Sequence, residues 1–106
     1  MIQVTYDREK LRLVIRGHAG SGPKGHDLVC AAVSALAMTL GANVADLAMD
    51  GIVRRQVLQL ESGNCFVSCV PCGNKKPVVQ LIYDAVCAGF QLLETLYPEN
   101  IRYHIV

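Results

Sequence analysis

The sequence lacks an excess of charge of either sign. Ten lysines and arginines face nine aspartates and glutamates, so the 106 residues carry a formal net charge of +1. Domains that bind nucleic acids normally have a clustered basic surface, which an excess of lysine and arginine in the sequence would indicate. From this balance we expect no direct nucleic-acid partner.

Long apolar segments and targeting signals are also missing. The longest apolar stretch, Leu28 to Met38, is shorter than the run of about 20 residues that a membrane-spanning helix needs. We therefore expect no membrane partner, and a buried helix in this stretch. The segment from Met1 to Asp7 has neither the basic start nor the apolar core of a signal peptide, so we expect a cytoplasmic protein.

The five cysteines are an odd number, so they cannot all pair within one chain, and cytoplasmic thiols are kept reduced. Cys65, Cys69 and Cys72 are close in sequence. On one strand Cys65 and Cys69 would stand roughly 13 Å apart, too far to share a disulfide or a metal ion. The sequence predicts no metal and no cofactor, with metal or thiol redox chemistry as a less favoured alternative. Cys87, inside a helix, is predicted to be a core residue.

The first half of the chain contains strand patterns followed by a helix pattern. Apolar residues alternate with polar ones in residues 2–6 and 11–15, which predicts a hairpin. Asp27 can cap a following helix. The residues predicted to form its apolar stripe are Leu28, Ala32, Leu36, Leu40 and Leu47.

The second half repeats this order. Residues 52–60 and 65–70 predict a second hairpin, and a second helix begins at Pro77 and ends before Tyr97. Residues 101–106 predict a last strand. The apolar stripe predicted for the second helix comprises Val78, Leu81, Ile82, Ala85, Phe90, Leu93 and Leu96. The order ββαββαβ predicts a single α+β domain over residues 1–106, with a largely antiparallel sheet covered by two helices.

A glycine-rich segment connects the second strand to the first helix. Gly20, Gly22 and Gly25 fit the G-x-G-x-x-G pattern of dinucleotide-binding domains. That pattern belongs to a parallel βαβ unit, whereas the strands before it here form a hairpin. We instead predict a mobile loop of the kind that closes over a substrate.

Cys30 has the position of an activated thiol. If Asp27 is the cap, Cys30 is the third residue of the helix, where backbone N–H groups and the helix dipole favour a thiolate. The same groups can stabilise the oxyanion that forms when sulfur attacks a peptide carbonyl. The alternative is a cysteine that only packs as a small apolar side chain in an alanine-rich helix.

A cysteine nucleophile needs a base, and two histidines are available near Cys30. His18 follows the second strand, and Gly17 before it would allow a sharp backbone turn. His26 lies within the glycine-rich segment. We favour His18, because a strand end is a stiffer mount than such a loop and catalytic geometry requires stiffness.

Two further side chains belong to the candidate site. Asp27 can cap the helix or orient His18, and capping is favoured because a carboxylate beside the sulfur would oppose a low thiol pKa. Ser34 stands one turn after Cys30, where its hydroxyl could contact the sulfur or orient substrate. A helical serine more often bonds the carbonyl four residues back.

These residues together resemble the signature of the ribosomal-processing cysteine protease family (Prp). The matching segments are Gly17-His18-Ala19 and the run from Gly25 through Asp27 and Cys30 to Ser34. The resemblance implies that Cys30 is the nucleophile and His18 the base. Within the spacer, Ser21-Gly22-Pro23 stands where the family pattern has bulkier residues.

The resemblance also implies a function. Members remove a short N-terminal extension from large ribosomal subunit protein number twenty-seven, act as homodimers, and close a loop over the substrate. We therefore expect the N-terminal segment of that ribosomal protein as partner and a homodimer as the active form. The alternative is a ribosome-assembly module that grips a peptide without cutting it.

Overall fold

The computed structural model describes residues 1–18 and 27–106 of the chain. Five strands and two helices follow one another in the order ββαββαβ. Their bounds are β1 (Ile2–Asp7), β2 (Arg12–Arg16), α1 (Leu28–Met49), β3 (Val53–Glu61), β4 (Asn64–Pro71), α2 (Lys76–Leu96) and β5 (Ile101–Ile105).

The five strands form one sheet in the order β3-β4-β2-β1-β5. Its β3–β4, β4–β2 and β2–β1 pairs are antiparallel, and only β1 and β5 run parallel. Parallel neighbours need a long crossover, which the chain between β1 and β5 provides. The predicted α+β class, element order and largely antiparallel sheet are confirmed.

Both helices pack on the same side of the sheet. Alternate strand residues on that side are buried, as Val4 and Ile15 illustrate, because successive side chains of a strand point to opposite faces. The opposite side is covered by no helix among the described residues. One predicted strand residue differs: Leu11 lies in the β1–β2 turn with a φ of +52°, although its side chain is fully buried.

Helix α1 is buried through a stripe that matches the predicted one only in part. Leu40 is fully buried and Leu36 and Leu47 pack against the core, as predicted, whereas Leu28 is 72% exposed. The remaining buried side chains are those of Val29, Val33, Ala37 and Val44. Because α1 is apolar over most of its circumference, spacing alone could not choose the face.

Helix α1 is also longer than the apolar stretch from Leu28 to Met38 that the sequence shows. Its 22 residues from Leu28 to Met49 are long and apolar enough to cross a membrane by length and composition. A helix that packs into the core of a folded domain passes the same test of length and composition. Helix α1 packs into the core through its buried stripe.

Helix α2 begins at Lys76, with Pro77 as its second residue. Its buried side chains are Val79, Gln80, Tyr83, Cys87 and Phe90, so the predicted core position of Cys87 is confirmed. Val78, Leu81, Ala85 and Leu96 of the predicted stripe are exposed. The stripe was wrong at these four positions because it left out Tyr83, which lies with Cys87 and Phe90 on the buried face of the helix.

Candidate active site

Cys30 is the third residue of helix α1, as the sequence predicted. Asp27 is the N-cap, and its Oδ1 accepts a hydrogen bond of 3.1 Å from the Cys30 backbone N–H. The Cys30 side chain is half-buried and packs against the core cluster. The thiol therefore sits at the positive end of a long helix dipole, with its backbone held by the cap.

Three other cysteines have surroundings that disfavour a thiolate. Burial raises the thiol pKa of Cys65 and of Cys69, and it raises that of Cys87 to about 12. A thiol is nucleophilic as the thiolate, so these three buried groups are poor nucleophiles at neutral pH. Cys72 is half-buried but precedes the N-cap of α2, Lys75, by three residues, so unlike Cys30 it lies outside the first turn of a helix.

His18 is the second residue after β2, following Gly17, and is exposed. Its carbonyl oxygen accepts a hydrogen bond of 2.7 Å from the backbone nitrogen of Met1. Its imidazole rests against the β3–β4 turn, where a Cβ atom at Gly63 would lie 2.6 Å from Nε2. The ring therefore occupies space that is available only because residue 63 is a glycine.

Gly17 joins β2 to this histidine in a conformation that requires glycine. Its φ is +97°, and a Cβ atom there would lie 2.5 Å from the carbonyl oxygen of Met1. Its N–H donates to the carbonyl oxygen of Gly63 over 3.0 Å. The β2 end, the Met1 backbone and the β3–β4 turn thus hold the backbone of His18 in place.

The remaining predicted site residues fall into two groups. Ser34 is half-buried on α1, one turn after Cys30, as expected from its spacing. Gly20, Gly22, Gly25 and His26, and with them the predicted loop closure, lie outside the described residues.

Metal chemistry has no support in residues 1–18 and 27–106, where no group of three histidine, cysteine or acidic side chains could hold an ion. Cys65 and Cys69 face the core from β4, and the Cys69 sulfur lies 3.5 Å from the Tyr83 hydroxyl. In this core the two thiols serve as packing groups.

Comparison with known proteins decides the family. The model of the family described as "Cysteine protease Prp" matches residues 1–102. The chain belongs to this family. Membership makes it a cysteine protease and sets aside the non-catalytic peptide-binding alternative.

Solved structures of family members share the fold. A ribosomal processing protease Prp from S. aureus, in complex with a covalently linked product peptide, is 28% identical, with a TM-score of 0.73 and coverage of 99% of this chain and 97% of that one. The same protease with a substrate peptide is 26% identical, with a TM-score of 0.68 and the same coverage of the two chains.

SMU.848 from Streptococcus mutans is 32% identical, with a TM-score of 0.70 and coverage of 100% of this chain and 94% of that chain. A comparison with the curated proteins found no match. The family and these structures together support processing of a ribosomal protein as the role of the enzyme.

Sequence reasoning missed one residue of this site. Gly63 is visible in the sequence as part of the turn Glu61-Ser62-Gly63-Asn64, but its contact with His18 joins positions 45 residues apart. Only the pairing of β2 with β4 brings the two together, since Arg16 is opposite Asn64 in the sheet.

Proposed function

We propose that the enzyme removes a short N-terminal extension from large ribosomal subunit protein number twenty-seven, in the cytoplasm, with Cys30 as nucleophile and His18 as general base. The observation that carries this proposal is the position of Cys30, the third residue of α1, with Asp27 capping its N–H. Of the five thiols it alone combines partial exposure with a helix N-terminus.

The proposed chemistry has two halves. His18 takes the thiol proton, and the Cys30 sulfur attacks the peptide carbonyl to give a tetrahedral oxyanion. The amide groups of the first turn of α1, other than the Cys30 N–H already bound to Asp27, stabilise this oxyanion. His18 then protonates the leaving amine, which departs and leaves a thioester on Cys30.

In the second half, His18 removes a proton from water, and the resulting hydroxide attacks the thioester. The carbon–sulfur bond breaks, His18 returns its proton to the Cys30 sulfur, and the N-terminal fragment leaves as a carboxylic acid that loses its proton to solvent. His18 acts as base and then acid in each half, so one imidazole serves the whole cycle.

The test is cleavage of a peptide that copies the N-terminus of the ribosomal protein, followed by mass spectrometry. Cys30→Ala and His18→Ala should abolish product formation. The matched controls are Cys72→Ala, which removes another half-buried thiol, and His104→Ala, which removes another exposed imidazole. Both controls should cleave normally.

Three results would each contradict a part of the proposal. Undiminished cleavage by Cys30→Ala would exclude the nucleophile. If His26→Ala abolished cleavage while His18→Ala kept most of it, the base would be His26. Absence of cleavage by the unmodified enzyme would exclude this substrate.

We also propose that the enzyme works as a homodimer that packs through the outer side of α1. This side repeats apolar residues at alternating spacings of three and four, the pattern of helices that pack on one another. Its members are Leu28, Ala31, Ala35, Met38, Ala42, Ala45 and Met49. Leu58 and Leu60 of β3 extend the apolar surface beside the helix.

Sedimentation equilibrium tests the dimer. Met38→Glu places a charge in the middle of the α1 surface and should yield monomers. Leu92→Glu introduces the same charge at an equally exposed position of α2 and should leave the dimer intact. A monomeric unmodified protein, or equal effects of both variants, would overturn the proposal.

A further inference from the structure

The side of the sheet away from the helices carries an uncharged row that crosses the strands. The strand registers place Gln59, Phe66, Val14, Thr5 and His104 next to one another, in that order. Neighbouring strands lie about 4.8 Å apart, so the row is roughly 19 Å long. We call this side of the sheet the open face, because no described helix covers it.

Arginines flank this row on both sides. Arg16 and Arg102 stand in the adjacent row on one side, and Arg12 and Arg54 lie on the other. These are four of the six arginines of the chain. The strands present two acidic residues on the same face, Asp7 and Glu61.

Within residues 1–18 and 27–106, none of these four arginines forms an ion pair. The ion pairs among the described residues join Arg8 to Asp84 and Lys76 to Glu9, away from the open face. Asp7 accepts a hydrogen bond from the Lys10 backbone N–H. With four arginines against Asp7 and Glu61, the open face carries a net charge of +2, which acidic residues elsewhere lower to +1 in the total for the chain.

The centre of the face is aromatic. The Arg12 guanidinium lies 5.7 Å from the centroid of the Phe66 ring, a distance typical of a cation–π contact. Phe66 is partly exposed beside Val14, and the ring together with the guanidinium over it offers a surface on which a base can stack. Proteins that bind single-stranded nucleic acids combine such aromatic platforms with basic side chains that track the phosphates.

We propose that the open face binds single-stranded RNA, with a base stacked at Phe66 and phosphates bound by the flanking arginines. An acidic peptide would match the charge but leave the central apolar row unused, and duplex RNA keeps its bases out of reach. If the substrate is a ribosomal protein, RNA bound at the open face would keep the protease close to a substrate that itself binds RNA. The proposal does not depend on Cys30 or His18.

Fluorescence anisotropy with a short labelled uridine oligomer tests the proposal at low and at physiological salt. The unmodified protein should bind, with an affinity that falls as salt rises. Phe66→Leu keeps an apolar side chain but removes the ring, and should weaken binding about tenfold. The salt dependence is measured as the slope of log affinity against log salt concentration. Arg12→Gln/Arg54→Gln should make this slope shallower by about 1.4, since each lost phosphate contact contributes about 0.7.

The matched control is Lys10→Gln/Lys75→Gln, which removes the same charge from exposed turns outside the open face. It should leave affinity and slope nearly unchanged. No binding at low salt, equal losses in the two double variants, or equal binding of polyglutamate would each overturn the proposal. Peptide cleavage by Arg12→Gln/Arg54→Gln should be normal, so a failed protease assignment and a failed RNA site are distinguishable.

Discussion

At the scale of single residues, the candidate base depends on a glycine far away in sequence. Gly63→Ala would place a Cβ atom 2.6 Å from Nε2 of His18, in a backbone with φ of +73°. The imidazole must move, and displacement of a catalytic group by about 1 Å can cost up to 100-fold in rate. We expect Gly63→Ala to lower kcat/KM for the peptide at least tenfold.

The control for this substitution is Gly51→Ala. Gly51 has a nearly identical φ of +72°, but a Cβ atom there would meet nothing within 4 Å. Both variants should lose about 1 kcal/mol of stability from the left-handed backbone, and only Gly63→Ala should shift the imidazole NMR signals of His18. Equal activity of the two variants would show that the contact does not position the ring.

Two substitutions can distinguish a capping role of Asp27 from a catalytic one. Asn is as good an N-cap as Asp, whereas Ala removes the acceptor for the Cys30 N–H. We expect Asp27→Asn to keep most of the activity and Asp27→Ala to lose about 1 kcal/mol of unfolding free energy. A large loss of kcat in Asp27→Asn, with stability intact, would instead indicate that the carboxylate charge acts in catalysis.

At the scale of elements, a charged contact ties β1 to α2. Asp84 of α2 accepts a hydrogen bond of 2.8 Å from the Tyr6 hydroxyl and pairs with the guanidinium of Arg8. The bond from Arg8 lowers the pKa of the Asp84 carboxyl, although partial burial opposes this. The contact joins residues about 77 positions apart, so it helps to fasten α2 across the sheet.

This contact makes stability depend on pH. Because the folded-state pKa of Asp84 lies below its ordinary value of 3.8, the carboxylate stabilises the fold above that value. The contribution disappears as the pH falls through the lower folded-state pKa. Asp84→Asn should lower the unfolding free energy by about 1 kcal/mol near neutral pH, since the pair is partly exposed. Thermal unfolding should show the difference between the two proteins shrinking as the pH falls below 3.8, and a constant difference would exclude the linkage.

At the scale of the whole molecule, the fold divides the thiols into two classes. Cys65, Cys69 and Cys87 are buried, with raised pKa values, and Cys30 and Cys72 are half-buried. We expect two thiols to react with a disulfide reagent in the native protein and all five after unfolding. Cys30→Ala should leave one native reactive thiol, and rapid reaction of a third would mean that the core opens readily.

Much of the fold could be predicted from the sequence because it rests on local patterns. Alternation in the strands, the Asp27 cap and the turn residues before β4 are short-range signals, and they predicted the element order correctly. The buried faces of the helices were predicted less well. Helix α1 is apolar over most of its circumference, and the buried side of α2 includes Tyr83 and Gln80. The orientation of both helices was therefore decided by what packs against them.

The sequence by itself determined the candidate nucleophile, because the position of Cys30 relative to Asp27 depends on four consecutive residues. The resemblance of Gly17 to Ser34 also indicated the family, which the match over residues 1–102 confirms. The tertiary structure decided what depends on strand pairing: the contact of Gly63 with His18, and the assembly of four arginines around Phe66. Strand register joins residues far apart in the chain, and neither local spacing nor net charge specifies it.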